Sequence, residues 1–222
     1  MIKPLNFLIS AGPTREHIDP VRFITNASSG KMGFMVAEAA INAGHQVKVV
    51  TGPVNLEYPE KAEAINVTTA MEMHLAIMQN FPDCDVLVMT AAVCDFRPIK
   101  TSINKIHKSD ATFILRLERN PDILLSVRRS EKNQTIVGFA AETNDVIISA
   151  RRKLEKKRMD MIVANEVGGK EYGFAVEHIK ATLLFRNGAD REIGCCRKKD
   201  IAKMIVNEAV KIHEGKLIVN SY

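Results

Sequence analysis

The chain has 222 residues, 46% of them hydrophobic and 26% charged, with a formal net charge of +5. That length buries one sizeable core, or one core with a small appendage. No apolar run approaches the roughly 20 residues of a membrane span, and Phe7–Ile9 is cut off by Gly12-Pro13 too early for a signal peptide; a cytoplasmic protein without a membrane partner is expected.

Leu5–Ser10 is a continuous apolar run and reads as a buried strand. A long loop, Gly12 to Ser29, leads to a helix over about 31–43, with Met32, Met35, Val36, Ala39 and Ala40 at helical spacing and Gly44 as its stop. Gln46–Thr51 and Ala64–Val67 are the next strands. Thr69 and Glu72 have the spacing of a capping box, opening a helix whose apolar stripe is read as Met71, Leu75 and Met78. Asp85–Thr90 and Thr112–Leu117 read as strands, and Asn120-Pro121-Asp122 as a helix start capped by Asn120. Thr135–Phe139 is a strand, 144–158 a helix with Ile147, Ala150 and Leu154 inward, and Met161–Val163 the last parallel strand. From Gly168-Gly169 and Tyr172-Gly173 to about residue 193 the chain turns irregular, with a hairpin through Ala181–Phe185 and Arg186-Asn187-Gly188, before a final helix over about 197–213. Residues 1–222 read as one α/β domain, a doubly wound, mostly parallel sheet with a small hairpin extension. Such sheets bind ligands in the loops at the carboxyl ends of their strands.

Cys84, Cys94, Cys195 and Cys196 form no Cys-x-x-Cys, and the histidines supply no metal spacing around them, so reduced thiols are expected. The positive charge admits a polyanionic partner, which a nucleotide satisfies as well as a nucleic acid. Asn26-Ala27-Ser28-Ser29-Gly30-Lys31-Met32-Gly33 places two serines and two glycines at a helix start, where free N–H groups favour an anion. It matches neither the dinucleotide fingerprint nor the P-loop. A phosphate site is preferred over the alternative, a tight helix–strand packing point. In Ala91-Ala92-Val93-Cys94-Asp95 the alanines leave room for a ligand, while Asp95 is either a ligand or metal contact or a loop turn. Lys105 and Lys108 are either phosphate clamps or solvated lysines. In the run 151–158, Lys153 and Lys157 are i, i+4 neighbours pointing one way. Asn26 either faces the anion pocket, its amide donating to an oxyanion and accepting from an amine, or braces the loop backbone.

Ser10 to Glu16, Asp19-Pro20-Val21-Arg22, Asn26 to Gly33, Ala91 to Phe96, Asn120 to Ile123, Gly138 to Thr143 and Ala164-Asn165 together resemble the phosphopantothenate–cysteine ligases of coenzyme A biosynthesis, in the same order and over essentially the whole chain. The resemblance implies a Rossmann-like sheet, a homodimer, and a ligase that converts 4′-phosphopantothenate to an acyl-cytidylate with CTP and Mg²⁺, releases pyrophosphate, and passes the acyl group to cysteine. It places nucleotide contacts at Ser28, Gly30, Gly33, Asp95, Lys105, Pro121, Asp122, Ile123, Leu124, Phe139, Lys153 and Lys157, with Gly12 and Asn165 as neighbours. Asn26, Ala91 and Ala92 fall around the acyl group and pantothenate, and Arg22 matches an arginine reaching the substrate of the neighbouring subunit. Asn26 and Lys105 are the expected catalytic residues. His107 stands where the family carries lysine, and the decarboxylase half often fused ahead of this domain has no counterpart in the sequence. Two rivals are weighed: a nicotinamide oxidoreductase, which lacks its acidic residue after Gln46–Thr51, and a basic nucleic-acid-binding module using 151–158, which lacks interleaved aromatics.

Overall fold

The computed structural model describes residues 3–107, 113–128, 130, 132–142, 144–166 and 177–219. Lys108, Thr112, Gly168-Gly169 and Tyr172-Gly173 therefore lie outside the described residues.

Six parallel strands, β1 (Asn6–Ala11), β4 (Gln46–Thr51), β5 (Glu63–Asn66), β6 (Val86–Met89), β9 (Thr135–Glu142) and β10 (Met161–Glu166), lie in the order β5-β4-β1-β6-β9-β10. The chain winds outward from β1 to β5, then returns beside β1 and winds the other way, so the direction reverses between β1 and β6. That crevice is where doubly wound sheets bind ligands. The expected hairpin, β11 (His178–Phe185) and β12 (Arg191–Arg197), continues the same sheet as an antiparallel edge beyond β10.

Strand periodicity assigns the core. Along β1, Phe7 and Ile9 point to one face and Leu8 to the other, all at most 1% exposed. The first face is covered by α1 (Lys31–Asn42) and α5 (Lys198–Val219), the second by α2 (Ala70–Asn80), the short α3 (Ile123–Val127) and α4 (Val146–Lys156). Each fully buried aliphatic side chain, such as Ile201 or Ile205 of α5, contributes roughly 1.5–3 kcal/mol.

Several local expectations are corrected. The inward face of α2 is Ala70, Met73 and Ile77, whereas Leu75 is 60% exposed; two apolar stripes compete on that helix, and packing chose the one beginning at the capped first turn. Ile147 of α4 is likewise exposed, while Ala150 and Leu154 are buried. The cap of α3 is Asp122, whose side chain accepts from Leu125 N, not Asn120. Phe113–Arg116 form no strand; pairing there is limited to β7 (Phe96–Pro98) with β8 (Leu117–Arg119). The loop 12–29 contains a small hairpin, β2 (Arg15–His17) with β3 (Phe23–Thr25).

Candidate active site

Pairing of β1 with β6 continues past the strand ends. Pro13 and Ala92 form a bridge, Ala92 N donates to Gly12 O at 2.9 Å, and Thr14 N donates to Ala92 O at 3.3 Å. The segment Ala91–Asp95 thereby becomes a fixed wall. Thr14 Oγ1 accepts from Cys94 N at 2.9 Å, and Asn26 Nδ2 donates to both Ala92 O (3.1 Å) and Val93 O (3.2 Å). From the other side, Asn120 Nδ2 donates to Cys94 O at 2.9 Å and Asn120 N to Asp95 O at 2.8 Å. Asn120, expected as a helix cap, instead clamps this wall.

A cavity opens on each side of the wall, and Ala91, Val93, Asp95 and Phe139 line both. The first, of about 390 Å³, is bounded by Asn26–Gly33, Thr90–Val93, Phe139–Ala141, Lys153, Asn165 and Lys198. The second, of about 470 Å³, is bounded by Cys94–Phe96, Arg119–Leu124, Phe139 and Lys157.

The start of α1 faces the first cavity and is uncapped. Gly30 is its cap residue with φ +78°, there is no side-chain cap and no acid in the first turn. By contrast, α2 has its complete Thr69–Glu72 capping box. The hydroxyls of Ser28 and Ser29 only approach Gly30 N and Lys31 N, both at 3.4 Å. The first-turn N–H groups and the positive end of the helix dipole are left for a ligand. Close packing holds this start in place: a Cβ on Gly33 would lie 2.5 Å from Thr90 Oγ1 and 2.7 Å from Ala11 Cβ. The packing reading of the glycine segment is met at Gly33, and that packing also fixes where the uncapped α1 start lies against the cavity.

The two lysines of α4 face the site as their spacing required. Lys153 Nζ lies 2.6 Å from Glu142 Oε1, and Lys157 Nζ 3.0 Å from Asp122 Oδ2. Arg152 points to solvent, and Arg151 is held by Asp190 and the carbonyl of Phe185. Arg151, Lys153 and Lys157 are thus each paired with a carboxylate, while Arg152, Lys156 and Arg158 are exposed. The oxidoreductase reading lacks support: the turn after β4 is sealed by Gly52, where an added Cβ would fall 1.8 Å from Pro13 O.

Of the expected site residues, Asn26, Ser28, Gly30, Gly33, Ala91, Ala92, Asp95, Phe139, Lys153 and Asn165 line the first cavity. Pro121, Asp122, Ile123, Leu124 and Lys157 line the second. Gly12 lines neither; it lies behind the α1 start, with φ +72°, where an added Cβ would meet Val54 at 2.7 Å. Arg22 and Lys105 also lie outside both cavities. Arg22 is bound twice to Asp19 Oδ2 (Nη2 2.5 Å, Nε 3.0 Å) and donates to Ile106 O, while Ile106 N donates to the same Asp19 oxygen. The Arg22 guanidinium, with the backbone N–H groups of Val21, Ile106 and Arg22, holds the Asp19 carboxyl well below the usual carboxylate range against the opposing effect of burial. Arg22 and the exposed Lys105 therefore belong to one arm, made of the β2–β3 hairpin and the loop 101–106.

The Asn26 donors both point at carbonyls, which fixes its amide orientation, because only an NH₂ group can satisfy two carbonyl oxygens. Its Oδ1 is the atom left for a ligand.

Lys198 was not anticipated. It opens α5, is 4% exposed, and lines the first cavity. The signal for it was in the sequence: Lys198 sits on the same helical stripe as Ile201, Ala202 and Ile205, a lysine on the apolar face.

All four cysteines are free thiols, with Cys84 and Cys94 buried; burial pushes the Cys84 thiol up to about 12. Among the described residues, no three His, Cys, Asp or Glu side chains cluster to hold a metal, and no helix is long and apolar enough to cross a membrane.

Residues 2–212 match the family model for the DNA/pantothenate metabolism flavoprotein C-terminal domain. The chain is 43% identical over 202 residues to the coenzyme A biosynthesis bifunctional protein CoaBC of Bacillus subtilis, covering 90% of this chain and 50% of that protein. It is 46% identical over 192 residues to CoaBC of Vibrio vulnificus strain CMCP6, covering 84% and 48%. The chain spans about half the length of the curated relatives it matches. The crystal structure of the C-terminal domain of a CoaBC superposes with a TM-score of 0.82 at 37% identity, over 96% of this chain and 100% of that one. The six parallel strands, the cavities at their reversal point and these matches agree: the chain belongs to the DNA/pantothenate metabolism flavoprotein C-terminal domain family.

Proposed function

We propose that this chain is a ligase joining 4′-phosphopantothenate to cysteine through an acyl-cytidylate, with CTP as co-substrate. The observation that carries the reading is the wall Ala91–Asp95 between two cavities, one suited to phosphates and one to a base. Pro121, Ile123, Leu124 and Phe139 offer apolar surface to a planar ring, and the Asp122 carboxylate offers an acceptor to an exocyclic amine. The α1 start with Ser28, Gly30 and Gly33 takes the phosphates.

The chemistry requires a carboxylate to approach a phosphoryl group, two anions whose repulsion must be offset by cations and oriented N–H donors. The substrate carboxylate attacks the α-phosphorus, and the bond to the β-phosphate breaks with its electron pair leaving on pyrophosphate. Ala91 and Ala92 leave space for the acyl group against the backbone. The cysteine amine then attacks the acyl carbon, the nucleoside monophosphate leaves, and the amine loses a proton. Asn26 Oδ1 accepts from that amine and orients it. Its Nδ2, held by Ala92 O and Val93 O, keeps the acceptor fixed at the wall.

Mg²⁺ fits as an ion arriving on the triphosphate, since it favours phosphates with one or two carboxylates over an all-protein cage; Asp95, which lines both cavities, is the carboxylate placed to hold it. When bound, it neutralises phosphate charge. Arg22 and Lys105, together on the arm, act by reaching toward a substrate from outside, Arg22 in the site of a second copy in a homodimer and Lys105 in acyl-nucleotide formation. In the relatives of twice this length, the other half fits a decarboxylase acting on the product.

The test is product formation. Incubation with CTP, 4′-phosphopantothenate and cysteine should give the cysteine amide and CMP in equal amounts by mass spectrometry. Consumption of CTP without amide, or amide formed without CTP, would contradict the reading.

A further inference from the structure

We infer that Asn120 is a positioning residue of this ligase: its amide, oriented by Arg97, holds the base cavity against the wall, so that a nucleotide seated by its base presents its α-phosphorus to the substrate carboxylate. The inference rests on the reading above.

Past the Pro13–Ala92 bridge the wall belongs to no helix or strand until β7 begins at Phe96, so its shape depends on the donors that reach its carbonyls. Asn26 serves the first two, Ala92 O at 3.1 Å and Val93 O at 3.2 Å. Asn120 serves the next two, Cys94 O from Nδ2 at 2.9 Å and Asp95 O from its backbone N at 2.8 Å. Two asparagines thus grip one segment, Asn26 from the first cavity and Asn120 from the second.

The Asn120 amide has one satisfied orientation. Arg97 Nη1 donates to its Oδ1 at 3.2 Å. Arg97 is itself fixed by Glu118, its cross-strand partner in the β7–β8 pair, with Nε donating to Oε1 at 2.9 Å. A flipped amide would set its NH₂ against the guanidinium and its oxygen against Cys94 O. Arg97 therefore acts on the wall through Asn120, and both ends of the amide are engaged within the protein.

The same residue begins the floor of the base cavity. Pro121, Asp122, Ile123 and Leu124 follow it directly and line that cavity, and Asp122 caps α3 by accepting from Leu125 N at 3.2 Å. A base resting on this floor is joined to the wall through Asn120. Removing the amide frees Cys94 O and lets the wall shift on the base side, while Asn26 still holds the other. A misplacement of about 1 Å between reacting groups costs on the order of 100-fold in rate. The surfaces that bind base and phosphates stay in place, so the loss falls on the first chemical step rather than on nucleotide affinity.

Single-turnover pyrophosphate release at saturating CTP, with 4′-phosphopantothenate and Mg²⁺ but no cysteine, tests this together with calorimetric CTP affinity and thermal melts. The proteins compared are the wild-type chain, Asn120→Ala, Asn120→Asp, Arg97→Met and the variant combining Asn120→Ala with Arg97→Met. Asn120→Asp keeps an acceptor for Arg97 but sets an oxygen in place of the donor to Cys94 O, so it loses the wall alone. Both Asn120 variants should slow release on the order of 10- to 100-fold and change CTP affinity by less than about threefold. Arg97→Met should slow release about three- to tenfold, and should add nothing in the Asn120→Ala background, because it acts through that amide. A lower melting temperature with release at the wild-type rate, rate and affinity lost together, or additive losses from Arg97 and Asn120 would overturn the assignment and leave the ligase reading standing. A wild-type chain that released no pyrophosphate under these conditions would remove that reading and the assignment with it.

Discussion

Gly33→Ala should damage this site through packing alone. The added Cβ would stand 2.5 Å from Thr90 Oγ1, 2.7 Å from Ala11 Cβ and 3.1 Å from Ala11 Cα. None of these can give way easily. Thr90 Oγ1 donates to Ser10 O at 2.5 Å, and Ala11 is the fully buried last residue of β1. The start of α1 must back off from the sheet instead. Overpacking of this kind costs about 1–3 kcal/mol, and alanine returns up to about 1 kcal/mol in helix propensity. A net loss near 1–2 kcal/mol lowers the melting temperature by roughly 2–4 °C per kcal/mol in a chain of this size. Gly215 of α5 is the internal control, because nothing lies within 4 Å of its added Cβ. Gly215→Ala should raise stability by about 0.5–1 kcal/mol. Paired thermal melts and CTP titrations would show opposite shifts in stability, with affinity lost only in Gly33→Ala. A Gly33→Ala protein as stable as wild type and binding CTP normally would refute the claim that close packing fixes where the α1 start lies.

Lys153→Ala and Lys157→Ala should each reduce CTP-dependent turnover by on the order of tenfold or more, while Arg152→Ala, exposed beside them, stays within about twofold in the same steady-state assay. Equal effects from all three would mean the run acts as a diffuse positive surface. Asn26→Ala removes two hydrogen bonds to the wall, about 1 kcal/mol each in stability, and should still form the acyl-cytidylate but pass it slowly to cysteine. Quenched-reaction mass spectrometry would show the intermediate accumulating, and its absence from a folded variant would place Asn26 in the first step. For Asp19, a carboxyl whose folded value is depressed contributes stability above its unfolded value and loses it only as pH falls through the depressed one. Proteolysis of the arm should therefore be similar at about pH 7 and about pH 4 in the wild type, and faster at neutral pH in Asp19→Asn; opening of the wild-type arm near pH 4 would contradict this.

The alternation of strands and helices was legible because buried parallel strands are continuous apolar runs: Leu5–Ser10 and Gln46–Thr51 announce β1 and β4 within a residue. The β2–β3 hairpin was not, since three-residue strands carry too few positions for a period and hold by single bonds such as Thr25 Oγ1 to Thr14 O. On α2, periodicity named a helix but the wrong face, because Met71, Leu75 and Met78 are spaced as well as Met73 and Ile77 are. The site followed the same division. The α1 start and the Lys153–Lys157 pair are local patterns and were read directly. The clamp of Asn120 on Cys94 O and the arrival of Lys198 beside Gly30 join residues far apart in the chain, and only sheet order brings them together.

Activation of the carboxylate precedes any part taken by cysteine in the proposed reaction, and pyrophosphate release measures that step directly. With CTP, Mg²⁺ and 4′-phosphopantothenate but no cysteine, the chain should release about one pyrophosphate per site in a first turnover, and none when phosphopantothenate is omitted. Release that required cysteine even for that first turnover, or that proceeded without phosphopantothenate, would contradict the acyl-cytidylate mechanism.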